Sequence, residues 1–219
     1  MGATRIIAVR HGETAWNVDT RIQGQLDIAL NDRGRWQAER VGAALAEEAV
    51  VRIYSSDLCR AHATAQAIAR HAREPLAREV QLHTGLRERG FGTFEGQTWA
   101  EIETQWPEES LRWKRRDPDF APPGGETPLQ VHARVQRTVN EIASQHLGEL
   151  IVLVAHGGVM DMLYRLATQQ PIGSTRTWEL HNAAINRLLW TPDALTLVGW
   201  ADTHHLDQGP LDDNSVASS

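Results

Sequence analysis

Two histidines in this chain each follow a short apolar run and precede a glycine. Ile6-Ile7-Ala8-Val9 leads into Arg10-His11-Gly12, and Ile151-Val152-Leu153-Val154-Ala155 leads into His156-Gly157-Gly158. Apolar runs of this length read as buried strands, and open α/β sheets bind ligands at the carboxyl ends of their strands. Side by side, two such strands bring two imidazoles together over one crevice that Arg10 makes cationic. Histidines with arginine suit an anion, most simply a phosphoryl group. His11 is the candidate nucleophile, because a neutral imidazole can attack phosphorus and form a covalent phosphohistidine. Nearby guanidiniums disfavour its protonation and keep it nucleophilic. Arg10 and Arg60 are the candidate phosphate clamps, and His156 helps to hold the phosphate. Each charged hydrogen bond is worth about 1.5–3 kcal/mol, and it speeds the reaction only where it strengthens in the transition state. Two structural histidines with no shared role remain the alternative at this point.

The elements that must position these residues can be read from periodicity. Thr4 to Val9 is a central strand, and residues 12–30 are a long loop with turn residues at Asn17, Asp19 and Gly24. Asn31 or Asp32 caps a helix to about Glu48 with Trp36, Val41 and Leu45 on one face. Val50 to Tyr54 is a second strand. Ser55-Ser56-Asp57 caps a helix to about Ala72 whose apolar stripe is Leu58, Ala61, Ala65, Ile68 and Ala72, spaced three and four apart. This places Arg60 in the helix's first turn. Glu79 to Leu82 is a third strand. Residues 84–126 are irregular, with short helices near Trp99 to Trp106 and Glu108 to Arg115. Thr127 or Pro128 opens a helix to about His146. The strand at 150–155 follows, then a helix from Gly157 to about Ala167, and strands at 184–190 and 194–201. Strands alternating with helices imply a three-layer α/β/α domain over residues 1–206 with a mainly parallel sheet. Residues 84–126 form a small cap near the strand ends, and 207–219 is expected to be a disordered tail.

Composition narrows the function classes. A chain of 219 residues with 41% hydrophobic and 23% charged residues is an ordinary globular protein. The net charge of −6 speaks against general nucleic-acid or anionic-membrane binding. It leaves room for a small anion held by a local arginine cluster. One cysteine, Cys59, allows no internal disulfide, and Met1 to Arg5 enters a strand without a signal-peptide core. With no stretch of about 18 apolar residues, a cytoplasmic protein without a membrane span is expected. Cys59 reads as a buried filler, and His204-His205 as a polar pair near the chain end. The tryptophans Trp99, Trp106 and Trp113 read as cap packing, with one or two facing the substrate. The basic run Arg112, Lys114, Arg115 and Arg116 is either a solvated helix face or a second anion site on the cap.

Several blocks, in order, go beyond any single triplet. They are Arg10-His11-Gly12-Glu13-Thr14-Ala15-Trp16-Asn17; Arg21-Ile22-Gln23-Gly24 with Leu26-Asp27; and Tyr54-Ser55-Ser56-Asp57-Leu58-Cys59-Arg60-Ala61 with Thr64-Ala65. Leu86-Arg87-Glu88 with Phe91-Gly92-Thr93-Phe94-Glu95-Gly96, Gly124-Gly125-Glu126 and Val154-Ala155-His156-Gly157-Gly158 follow. Over about residues 4–205 the chain resembles the histidine phosphatase superfamily, the phosphoglycerate-mutase-like group. The resemblance implies a phosphorylated His11, a phosphate pocket of Arg10, Arg60 and His156, and Glu88 as proton donor to the leaving alkoxide and later base for water. It also implies phosphate-side or pocket-rim contacts from Asn17 and Arg21, and pocket-lining positions at Gln23, Gly24 and Gly157. The family needs no metal and no organic cofactor. A metal site of His11, His156 and Glu88 is the rival on ligand chemistry, but two arginines beside it repel a divalent cation. Glu13 and Glu95 are rival acids to Glu88 and read as structural. His156 follows Glu88 by 68 positions, a spacing that resembles the family's phosphatases rather than its mutases. The expected partner is a small phosphorylated metabolite, and the expected state a monomer or homodimer. The rivals to a phosphatase are a mutase and a non-catalytic phospho-ligand binder.

Overall fold

The computed structural model describes residues 2–207. Strands and helices run β1 (Thr4–Arg10), α1 (Ala15–Val18), α2 (Asp32–Leu45), β2 (Val50–Ser55), α3 (Cys59–His71), β3 (Gln81–Leu82), α4 (Trp99–Gln105), α5 (Pro107–Lys114), α6 (Pro128–Ala143), β4 (Leu150–Ala155), α7 (Gly157–Thr168), β5 (Ile185–Trp190) and β6 (Leu195–Asp202). One six-stranded sheet has the order β3-β2-β4-β1-β5-β6. β1 to β4 pair in parallel, and β5 runs antiparallel to its neighbours β1 and β6. The expected α/β class with a mainly parallel sheet is what forms, and no described helix is long and apolar enough to cross a membrane.

Alternation along the central strands builds two cores. Ile6, Ala8, Ile151 and Leu153 face α6 and α7, where they meet Val131, Val135, Val139 and Val159. Ile7, Val9, Val152 and Val154 face the opposite way, onto Val41 and Leu45 of α2 and Ala61, Ala65 and Ile68 of α3. Every residue of β4 is buried, as expected of a strand covered on both faces. Burying one such aliphatic side chain is worth about 1.5–3 kcal/mol, so the strands that carry the histidines are the most firmly held part of the sheet.

The register then positions the chemistry. β1 and β4 are direct neighbours, with Arg10 opposite Ala155. His11 and His156 are therefore the next residues on adjacent strands and leave the sheet at the same level. The chain can turn away at Gly12 because a β-carbon there would overlap the backbone of Gly34 at the start of α2.

The differences from the sequence reading lie at element ends. Residues 12–30 contain α1, closed by a capping box between Thr14 and Asn17. α3 starts at Cys59, and Leu58 is its N-cap rather than part of its stripe. None of Ser55, Ser56 or Asp57 is that cap. Asp27, from the distant 12–30 loop, accepts the Cys59 N–H at 2.7 Å, while Asp57 forms a two-pronged pair with Arg87 at 2.8 and 2.5 Å. α2 and α6 stop short of Glu48 and His146, β3 shrinks to two residues, and Trp36 is half-buried beside the stripe of Ala38, Val41 and Leu45. His146 has left α6 to bond Glu149 at 2.7 Å and Tyr54 at 2.8 Å. Residues 84–126 do form a cap. It carries its own small core of Phe94, Ile102 and Phe120, with Trp99, Trp106 and Trp113 packed around it. The expected tail lies outside the described residues from 208 onward.

Candidate active site

The rings of His11 and His156 have centroids 5.1 Å apart and planes at 57°, and both residues are buried. His11 Nδ1 lies 2.7 Å from the Gly12 carbonyl. A carbonyl can only accept, so Nδ1 carries the proton and Nε2 carries the lone pair. Burial first, then the charges of Arg60 and Arg10, hold the His11 pKa well below 6.5. His156 is lowered likewise, by burial and then by His11, Arg60 and Arg10. Both imidazoles are therefore neutral near pH 7, as a nucleophile and a neutral donor require.

The arginines are held by backbone carbonyls, not by carboxylates. Arg60 Nη1 and Nη2 donate to Leu26 O at 2.8 Å and Gly24 O at 2.7 Å. Gly24 adopts φ +53°, and a β-carbon there would strike the Glu95 carboxylate. The position thus needs glycine, both for its backbone and to bring its carbonyl to Arg60. Arg10 Nη1 donates to Leu180 O. Arg10 Nε, Arg60 Nε and both ring nitrogens of His156 are buried with no hydrogen-bond partner among the described residues. Buried polar groups are normally paired. Four of them on three neighbouring side chains, two of which are cationic arginines, fit the oxygens of a phosphoryl group.

Glu88 closes the site from the cap side. Its Oε1 accepts the N–H groups of Arg89 at 2.8 Å and Gly158 at 3.0 Å, and Oε2 accepts Gly158 N–H at 3.1 Å. The carboxylate thus sits at the N-terminus of α7, a favourable place for negative charge. A β-carbon on Gly157 would lie 3.6 Å from the Arg10 guanidinium and 3.7 Å from Glu88 Oε2, so the two flank Gly157. The rival acids are committed elsewhere. Glu13 accepts from Asn31 at 2.9 Å, and Glu95 accepts the N–H groups of Gln25 and Phe91 at 3.0 and 2.9 Å.

The fold thus brings together Arg10, His11, Arg60, Glu88, His156, Gly157 and Gly24. Asn17 is one step removed: its Oδ1 accepts from Thr14 N at 3.0 Å and from Asn182 Nδ2 at 3.3 Å. Gln23 is buried beside Gly24. Arg21 does not reach the cavity wall. It ties the 12–30 loop to the cap through Gly96 O at 2.9 Å and Glu101 at 3.2 Å.

Four residues that the sequence reading passed over hold this site. Asn182 Nδ2 donates to His11 O at 2.9 Å, and Ala183 N to Arg10 O at 2.9 Å, so the segment before β5 pins the end of β1. Arg134 on α6 forks onto Glu126 at 2.9 and 2.8 Å and onto the carbonyls of Gly85 and Arg87 at 2.9 Å each, which fixes the loop that carries Glu88. Gln25 Nε2 holds Glu88 O at 3.2 Å. An arginine eight positions past the nearest motif, or an asparagine before β5, leaves no local signal.

A cavity of about 740 Å³ is lined by Arg10, Gly157 and Gly158, the neighbours of His11, His156 and Glu88. Phe91, Trp99, Trp113 and Phe120 form its aromatic wall, so Trp99 and Trp113 are the tryptophans that face it, while Trp106 packs on Phe94. Of the basic run, Lys114 and Arg116 line this cavity and Arg112 pairs with Asp117 at 2.7 Å. Cys59 is half-buried, and its thiol is pushed up to about 11 by burial and by Asp27, which outweigh Arg60. His204 pairs with Asp202 at 2.9 Å, and His205 with Ala183 O at 3.0 Å.

An α/β sheet with two neutral histidines, buried arginines and a carboxyl group at its strand ends defines a phosphoryl-transfer enzyme of the phosphomonoesterase type. Residues 6–203 match the model of the histidine phosphatase superfamily, branch 1, and the chain belongs to that superfamily. It is 38% identical over 207 residues to phosphoglycerate mutase-like protein 4 of Arabidopsis thaliana, covering 93% of this chain and 87% of that protein. It is 37% identical over 205 residues to the metal-independent phosphoserine phosphatase of Arabidopsis thaliana, covering 93% and 83%. The structure of a mycobacterial glucosyl-3-phosphoglycerate phosphatase with VO3 superimposes with a TM-score of 0.79 at 32% identity, covering 91% of this chain and 99% of that one.

Proposed function

We propose that this chain hydrolyses the phosphate ester of a small metabolite in two steps through phosphorylated His11, without a metal ion or an organic cofactor. The observation that carries this reading is the His11 imidazole. Its Nδ1–H is committed to the Gly12 carbonyl, so Nε2 keeps its lone pair among Arg10, Arg60 and His156.

In the first step His11 Nε2 attacks phosphorus and the bond to the leaving oxygen breaks. Glu88, which takes up a proton as the anionic substrate binds, hands it to that oxygen. Arg10, Arg60 and His156 donate to the non-bridging oxygens as charge redistributes over them. Asn17 adds its Nδ2, since its Oδ1 is already used. In the second step the Glu88 carboxylate takes a proton from water, whose oxygen attacks phosphorus and releases His11 and inorganic phosphate. Gly157, Gly24 and Gln23 line the path of the leaving group, and Arg21 holds the loop that carries Gln23 and Gly24 against the cap. Phosphoserine and glucosyl-3-phosphoglycerate phosphatases among the relatives support a small, polar leaving group.

The test is phosphate release from p-nitrophenyl phosphate with EDTA present. The wild-type chain is expected to turn over. His11→Ala is expected to lose on the order of 10⁴-fold or more, as removal of a nucleophile does. A variant that keeps its rate removes His11 from the mechanism. A wild-type chain that releases no phosphate but isomerises 3-phosphoglycerate is a mutase.

A further inference from the structure

Glu88 differs from the other reacting groups in how it is held. His11 and His156 leave adjacent strands at one level, and Arg60 sits in the first turn of α3. Glu88 lies on irregular chain between the single turns Thr84–Leu86 and Gly92–Phe94, where no strand or helix sets the backbone. A proton donor must meet the leaving oxygen at hydrogen-bond distance, so its position has to be set from elsewhere.

α6 and the turn before it do this with one ion pair. Arg134 Nη1 donates to the carbonyls of Gly85 and Arg87 at 2.9 Å each, and Nη2 to Glu88 O at 3.4 Å. Arg134 Nε and Nη2 also fork onto Glu126 at 2.9 and 2.8 Å. Glu126 grips the other side of Glu88: its Oε2 accepts Gly90 N–H at 2.8 Å, and its own N–H donates to Gly90 O at 2.8 Å. The pair thus braces the backbone before and after Glu88. Two glycines let the brace close. A β-carbon on Gly85 would overlap Thr138 Oγ1, one turn along α6 from Arg134, and one on Gly125 would crowd Gly90 O at 2.7 Å. The Gly124-Gly125-Glu126 block, which the two catalytic steps do not use, is the turn that carries Glu126 to Gly90.

Arg134 reaches the phosphate cradle only through its field. After burial, His11, Arg60 and Arg10, its charge also helps to keep His156 neutral. A field at the cradle acts on every ester alike. Placement of Glu88 matters most where the leaving oxygen is a strong base and needs its proton. The two roles therefore separate by leaving group.

We infer that the forked Arg134–Glu126 pair is the positioning device of the proton donor: it sets where the Glu88 carboxyl group meets the leaving oxygen, and with that the range of leaving groups the site can expel. This rests on the phosphatase reading and adds to it two positioning residues that touch no substrate atom.

Phenyl phosphate and p-nitrophenyl phosphate carry the same reacting phosphate, and phenolate is the more basic leaving group. The readout is the ratio of kcat/KM for the first to that for the second. Arg134→Gln is expected to lower this ratio about threefold or more, since small misplacements of a catalytic group are costly. Arg134→Lys keeps the charge but not the fork and is expected to lower it too. Combined with Glu88→Gln, either variant is expected to leave the ratio where Glu88→Gln alone puts it, because residues that act through one group are not additive. A ratio that stays at its wild-type value in the Arg134 variants, even if both esters slow together, overturns the inference. A wild-type ratio in Arg134→Lys alone assigns the effect to charge and overturns the fork. A further fall in the double variant shows that Arg134 acts other than through Glu88 and overturns it as well. If Arg134→Gln does not fold, Arg134→Lys and Glu126→Gln carry the same comparison. If the wild-type chain hydrolyses neither ester, the phosphatase reading fails, and amide hydrogen exchange judges the brace alone. Gly158 N–H donates to the Glu88 carboxylate. It is expected to exchange faster in Arg134→Lys while the β4 amides keep their protection, and an unchanged Gly158 overturns the brace.

Discussion

The phosphate cradle and the leaving-group cavity share Arg10 and Gly157, yet they are built on opposite terms. In the cradle, strand-end register, backbone carbonyls and burial hold each functional side chain: Gly12 O on His11, Gly24 O and Leu26 O on Arg60, Leu180 O on Arg10. In the cavity, one wall is a cap with its own aromatic core, and the arginines Arg116 and Arg176 that line the cavity make no side-chain hydrogen bond or ion pair among the described residues. A cradle fixed by backbone can serve any phosphate ester. A wall of side chains on a separate excursion can change without disturbing the sheet. On the proposed function, the chemistry is placed at the buried strand ends of the sheet and the choice of substrate on the cap.

Substitutions in the cradle should therefore affect all substrates alike. Arg60→Ala is expected to cut kcat/KM by on the order of 10²–10³-fold for aryl and alkyl phosphates equally. It also strands the carbonyls of Gly24 and Leu26, at about 1–3 kcal/mol for each one left unpaired, so the thermal midpoint should fall in the same variant. A selective loss on one substrate would move Arg60 to the cavity side of the comparison.

Glu88 stands at the border, and its loss should depend on the leaving group. Glu88→Gln is expected to slow an alkyl phosphate about 100-fold, within the usual range for a general acid. p-Nitrophenyl phosphate, whose leaving phenolate needs little protonation, should slow by less than about tenfold. Equal losses on both would remove Glu88 from the proton-transfer role and make it a positioning residue for the N-terminus of α7.

The smallest effect is one of pH. Burial and the two arginines hold His11 and His156 well below 6.5, whereas exposed His204 is raised by Asp202. Imidazole NMR at pH 6 should find the two site histidines neutral and His204 protonated. The same shift has a sign for stability. The unfolded chain takes up protons near pH 6.5 while the folded site does not, so stability contributed by the neutral pair is lost as pH falls below about 6.5. A site imidazole that titrates at or above 6.5 would mean that the cradle is wetter than its burial implies.

Much of the cradle was legible in the chain. Periodicity placed β1, β4 and α7, and with them His11, His156 and Gly157 at strand ends. The helical stripe after β2 put Arg60 in a first turn. The short cap helices expected near Trp99 to Trp106 and Glu108 to Arg115 form as Trp99–Gln105 and Pro107–Lys114. What stayed hidden depends on pairs far apart in sequence. Asp27 caps α3 across 32 positions, so the local Ser-Ser-Asp signal pointed to the wrong cap. Asn182 reaches His11 across 171 positions, and Arg134 reaches Gly85 across 49. Arg21, read as a rim contact, is spent on joining loop to cap.

By itself the sequence determined the local periods: which segments are strands or helices, and which residues of reactive type stand at their ends. Those properties arise from neighbours along the chain, where backbone geometry repeats every two or 3.6 residues. Only the tertiary structure decided that β4 lies beside β1, which ring nitrogen of His11 carries its proton, which carboxylate comes to the N-terminus of α7 beside Gly157, and which cavity arginines have no partner among the described residues. Each of these is settled by a contact between distant segments, by burial that shifts a proton, or by competition among charges for the same partner. None of these has a period along the chain.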